Sequence, residues 1–159
     1  MVAKFQSGDE LMMMLRRAQE IELAFEQDAQ WEGYYEKEKL REVLMELIVD
    51  SARHAVVVQG LIDKVKVTPG RDHSPLHAKS FNFRNKNDLE MMMEIGHTEQ
   101  LMKEIYSSIR EAVKASPTGL LNNEEEMGAF LEEIELLVKA ETHHAELVTK
   151  YVGKVERIH

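Results

Sequence analysis

The chain has 159 residues, of which 43% are hydrophobic and 31% charged, a size and balance that suit one globular domain spanning 1–159. Its formal net charge of −9 excludes a general nucleic-acid binder, which needs a basic face for phosphate. No apolar run approaches the length that crosses a bilayer, and the absence of cysteine excludes disulfides, thiolate metal sites and thiol catalysis.

Ser7-Gly8-Asp9-Glu10 reads as a capping box opening a first helix. The apolar LMMML at 11–15 runs straight into Arg16 and Arg17, unlike a secretory leader, so the cytoplasm is the expected compartment. Steps of three and four along this helix give Leu11, Leu15, Ala18, Glu22, Phe25 and Ala29. Gly33 and the polar run after it mark a turn, with Trp31, Tyr34 and Tyr35 closing one end of the bundle. The second helix carries Leu44, Leu47, Ser51, His54, Val58, Leu61 and Val65, and runs to about Val67, where Thr68-Pro69-Gly70 stops it.

Residues 68–87 contain Pro69, Pro75, His73 and His77 and show no sustained period, so they are expected to form a long crossover. Asn87 with Glu90 caps a third helix, whose stripe is Met92, Ile95, Glu99, Met102, Tyr106, Ile109 and Val113. It ends before Ser116-Pro117-Thr118-Gly119. Asn123 with Glu126 caps a fourth, with Phe130, Ile134, Leu137, Glu141, His144, Val148, Tyr151 and Val155 in line. Short, long and short connections predict an all-α, antiparallel four-helix bundle of two hairpins, about 8–67 and 88–157, with one crossover between helices two and three. Sparse aromatics (6%) and ten methionines agree with a helical core.

Each stripe is broken near its middle by a carboxylate, an imidazole or both: Glu22, His54, Glu99, and the Glu141–His144 pair. Unpaired, such groups cost several kcal/mol to bury, so they need a common partner. A metal ion serves, because Glu-x-x-His presents an oxygen and a nitrogen from one helix face. The heights agree: the midpoints of Glu22 with His54 and of Glu99 with Glu141 both fall near their hairpin turns. The halves also look repeated, Asp50-Ser51-x-x-His54-Ala55 paralleling Ala140-Glu141-x-x-His144-Ala145.

With these residues in place the chain resembles the ferritin-like superfamily, particularly the rubrerythrin-type di-iron carboxylate bundles. Such bundles carry one Glu on helices one and three and a Glu-x-x-His on helices two and four. The resemblance implies metal ligation by Glu22, His54, Glu99, Glu141 and His144. It also implies a role for Tyr106, seven residues after Glu99, as a hydrogen-bond donor or radical quencher beside the chemistry. Ser51 departs from the pattern by standing where a second glutamate belongs. Asp50 is the candidate to swing in, and the metal beside His54 is expected to be weaker or missing.

Plainer readings stand beside these. Glu22 can lie exposed at a stripe edge, and His54 can simply bond a carbonyl. His143 is one step off the stripe. Glu94 and His97 form a second Glu-x-x-His pointing away from Glu99, toward solvent or the crossover. His73 and His77 suit a peripheral metal or a subunit contact.

Carboxylates with imidazoles and no thiolate suit iron, with manganese or zinc as alternatives. The expected function is a di-iron oxidoreductase or ferroxidase acting on Fe(II) with dioxygen or peroxide. The alternative is a non-catalytic or metal-free bundle for storage, sensing or protein interaction. Apolar residues outside the stripes (Met13, Met14, Met91, Met93, Val56, Val57) predict a homo-oligomer, a dimer or larger.

Overall fold

In the computed structural model, which describes residues 4–74, 80–116 and 118–156, the four stripes become four long helices. They are α1 (Gly8–Asp28), α2 (Arg41–Ile62), α3 (Asp88–Ala115) and α4 (Met127–Glu156). Among the described residues there is no strand, only an isolated bridge between Val65 and Leu121. The helices pack chiefly as two pairs, α1 on α2 and α3 on α4. One apolar core runs through all four. The stripes are its source: every described member is buried except Tyr151, which is half-buried. The side chains of Trp31 and Val155 lie outside the description, as does His77.

The helix ends differ from the sequence expectation in instructive ways. Ser7 sits at the N-cap of α1 without a side-chain cap bond, and Glu10 reaches back to accept from the Gln6 amide at 2.8 Å. Asp9 turns instead toward the crossover, accepting from the Thr68 amide (3.0 Å) and hydroxyl (2.7 Å). His73 Nε2 also approaches it at 2.6 Å, so His73 serves as an anchor of the crossover. The Thr68 bonds, joined by His73 and Arg71, hold the Asp9 carboxyl well below the usual carboxylate range. Beyond α1 the chain continues as a π-helical turn, Ala29–Tyr34, and a 3-10 turn, Glu38–Leu40, leads into α2.

α2 stops at Ile62 rather than near Val67, because the residues after it are used elsewhere. The Lys66 amide donates to the Leu120 carbonyl at 2.8 Å, and the Asn122 amide donates to that of Lys64 at 3.0 Å. This seam joins the end of α2 to the α3–α4 connection. Gly8 lies against it so closely that a Cβ there would fall 1.8 Å from the Lys66 carbonyl oxygen.

The crossover is tied down by Phe81 and Phe83, both buried, with Phe81 edge-on to Phe25 (5.7 Å between centroids) and stacked on Phe83. Asn87 caps α3 as expected, accepting from the Glu90 amide at 2.8 Å. Asn123 caps the 3-10 turn Glu124–Glu126 that leads into α4. Of the apolar residues expected on an outer face, Met13, Val56 and Met93 are exposed, and Met14 and Val57 are half-buried. Met91 is fully buried in the core and is not part of any outer face. Its side chain fills the space over Gly33, whereas Met93, two positions on and so about 200° around α3, is exposed.

Candidate metal centre

Helical spacing carries the polar breaks inward to one level of the bundle. Glu22 on α1, Ser51 and His54 on α2, Glu99 on α3, and Glu141 and His144 on α4 are all buried, and Asp9 and Thr98 are the other buried polar residues described. His54 Nδ1 lies 3.3 Å from Glu22 Oε1 and 2.9 Å from Glu141 Oε1. His144 Nδ1 lies 3.4 Å from Glu99 Oε2 and 3.5 Å from Glu141 Oε2. The imidazole rings stack with centroids 5.6 Å apart and planes 29° from parallel. Tyr106, fully buried, donates its hydroxyl to Glu22 Oε1 at 3.0 Å. The five expected ligands and the tyrosine therefore share one neighbourhood.

Asp50 is placed differently from its expected role. Its Oδ2 meets His144 Nε2 at 2.9 Å, on the side of the ring away from the cluster, and its Oδ1 lies 3.5 Å from Arg53 Nη1. A carboxylate there favours the tautomer with the proton on Nε2, leaving the Nδ1 lone pair turned toward Glu99 and Glu141. Sequence reasoning could not separate this orienting position from a direct one, since both need an acidic residue one turn before His54. The remaining candidates lie apart. Glu94 pairs with Lys86 of the crossover, His97 is exposed, and the exposed His143 meets Glu46 at 3.0 Å.

Satisfaction of these groups is uneven. Glu141 is 1% exposed, yet neither of its oxygens has an aligned hydrogen-bond donor, and His144 Nδ1 has no hydrogen-bond partner either. The nearby imidazole nitrogens are close enough for ion pairing but poorly aligned for a hydrogen bond. Ion pairing without aligned hydrogen bonds leaves part of the cost of burying the carboxylate unmet. The protein thus holds three donors, His54, Glu141 and His144, with ligand atoms all within 4.8 Å of one another, and this group could hold a metal ion.

Protons also balance these carboxylates. Burial alone would lower His54, but the carboxylates of Glu141 and Glu22 outweigh it and raise its pKa to about 9. His144 is raised to about 11, burial again being overcome by Glu141, Glu99 and Asp50. Burial pushes Glu99 up to about 8, helped by the neighbouring Glu141 and opposed by His144. Tyr106 is raised well above its usual range by burial and then by the Glu22 charge.

No family model matches the chain, and neither a curated protein nor a solved structure matches it. Among the described residues no helix is long and apolar enough to cross a membrane.

Proposed function

We propose that this chain is a ferritin-like, antiparallel bundle that binds iron and acts as an oxidoreductase or ferroxidase, using Fe(II) with dioxygen or peroxide. The observation that carries the reading is Glu141, whose two buried oxygens lack aligned donors while two imidazole nitrogens face them. A divalent cation satisfies all of these atoms at once, and a packed apolar core would have no use for them. Iron or manganese suits carboxylates and imidazoles without a thiolate, and zinc fits the same donors by affinity. Bound iron would supply one-electron chemistry toward oxygen or peroxide. The protein's part is to orient the two imidazoles, with Asp50 holding His144, to exclude bulk water, and to hold a hydroxyl proton at Tyr106 Oη beside Glu22.

The decisive experiment is metal analysis of protein purified without chelator or affinity metal, followed by oxygen-electrode traces after addition of Fe(II). Bound iron with oxygen uptake above the buffer rate supports the reading. Bound iron without uptake leaves a storage or sensing bundle. Absence of metal after anaerobic iron reconstitution refutes the proposal. One observation favours that last, metal-free outcome: His54 and His144, as imidazolium ions, balance much of the charge of Glu22, Glu99 and Glu141.

A further inference from the structure

The geometry points to a centre for one metal ion, held jointly by His54, Glu141 and His144, in place of the two ions that a four-carboxylate bundle would hold. This rests on the metal-binding reading above and fixes how many ions the site takes and which donors they share.

Distances come first. Donors that bind one ion at about 2.0–2.2 Å stand about 2.8–3.1 Å apart at a right angle and about 3.3–3.6 Å apart at a tetrahedral angle. The separations in this cluster are 2.9 Å (His54 Nδ1 to Glu141 Oε1), 3.5 Å (His144 Nδ1 to Glu141 Oε2) and 3.4 Å (His144 Nδ1 to Glu99 Oε2). Each pair has the spacing of two ligands on one ion, and one ligand atom from each of the three residues lies within 4.8 Å of the other two, so a small inward shift would close them on one ion.

Glu141 also turns one oxygen toward each histidine, as a carboxylate bridging two ions would. Donor supply decides between these possibilities. Two divalent ions bring four positive charges into a buried space, where the buried carboxylates set against the histidines, among the described residues, are Glu22, Glu99 and Glu141. Asp50 is engaged with His144 Nε2 and Arg53 on the far side of the ring. Ser51 offers a neutral hydroxyl where a fourth carboxylate would stand, and it is buried, so bulk water does not stand in for the missing charge. Against the three glutamate carboxylates one ion leaves a net charge of −1 and two leave +1, so the place of Ser51 decides: a second ion beside His54 would lack the carboxylate donor it needs. Two histidines with one carboxylate would suffice to hold one ion, a donor set that mononuclear iron centres use.

The test uses the full-length protein and Mn(II), titrated anaerobically. Bound ions per chain are counted after gel filtration, and the electron paramagnetic resonance spectrum is recorded. The expected result is one ion per chain with the six-line spectrum of an isolated Mn(II). Ser51→Glu is expected to take the count to two and to produce an exchange-coupled spectrum. In a shared centre either histidine is essential to the same ion, so His54→Ala and His144→Ala should each take the count from one to zero. Two ions with a coupled spectrum in the unsubstituted protein would overturn the single-ion inference and leave the metal-binding reading intact. So would retention of an ion by either histidine variant. No ion bound from Mn(II), Fe(II) or Zn(II) would overturn both.

Discussion

Raising the pH of the metal-free protein from about 6.5 to about 8.5 is expected to destabilise it steeply, and adding metal should reverse the trend. His54 and His144 have folded pKa values of about 9 and about 11, against 6.5 for an ordinary histidine. Their contribution is therefore complete below pH 6.5 and lost as pH rises through those folded values. Glu99 is raised from 4.5 to about 8, so keeping it buried begins to cost stability once the unfolded chain can ionise it, and the cost is complete above pH 8. All three act in the same direction. Near pH 7.5 the fold holds up to about three protons more than the unfolded chain, each changing stability by about 1.4 kcal/mol per pH unit. The ceiling is thus about 4 kcal/mol per pH unit. Because these groups share their charges, about half of that is the expected slope. Urea titrations followed by far-ultraviolet circular dichroism, at several pH values with chelator present, measure it directly. With saturating metal the ligands must be deprotonated to bind, so stability should rise with pH across the same window. A metal-free stability constant to within about 0.5 kcal/mol across that window would refute the reasoning, because the cluster would then hold no displaced protons.

Other outcomes follow from single residues. Gly8→Ala should cost about 2–3 kcal/mol in urea unfolding, since the added Cβ meets the Lys66 backbone carbonyl and not a side chain that can rotate away; unchanged stability would mean that the seam is not formed. Phe83→Ala should cost about 3–5 kcal/mol by the same assay, as expected for a fully buried ring, and a cost under about 1 kcal/mol would place the crossover outside the core. Glu141→Ala should abolish metal binding in calorimetric titration and flatten the pH dependence of the metal-free protein's stability, because both imidazoles lose a carboxylate that raises their pKa; an unchanged slope would disprove that role. We also expect self-association through the exposed apolar residues of α2 and α4, where Val56 is 73% and Leu136 65% exposed; light scattering at micromolar concentration that reports only an 18.4 kDa species would disprove it.

Much of this arrangement was legible in the sequence because helical periodicity alone dictates it. Stepping from Leu11 through Glu22 to Phe25, or from Phe130 through Glu141 and His144 to Val148, follows one face, and those residues are buried together. The matched heights were legible too, since helix lengths and short turns fix which levels face each other. What escaped was anything set by side-chain direction or by contacts distant in sequence. Asp50 meets Nε2 of His144 across two helices, and no spacing rule reports which side of a ring a carboxylate will meet. Asp9 reads as a helix-capping acid until Thr68 and His73, about sixty residues later, fold back onto it. Phe81 and Phe83 left a faint trace, an apolar alternation inside an otherwise polar segment, too short to mark as core. Val65 continues the α2 stripe on paper, but its backbone pairs with Leu121 and the helix has already ended.

The seam at Gly8, Lys66 and Leu120 also determines the register between the two helix pairs. A helix can slide along its neighbour by one turn, about 5.4 Å, and still set apolar residues against apolar residues. Such a slip would carry Glu141 and His144 away from Glu22 and His54, yet the stripes alone would scarcely oppose it. Backbone bonds of 2.8 and 3.0 Å between the end of α2 and the α3–α4 connection cannot survive that displacement. The seam acts as a longitudinal stop, with the β-bridge fixing the offset and a side-chain-free Gly8 allowing the first helix to close against it. Alignment of the donors midway along the bundle is therefore set at one end of it.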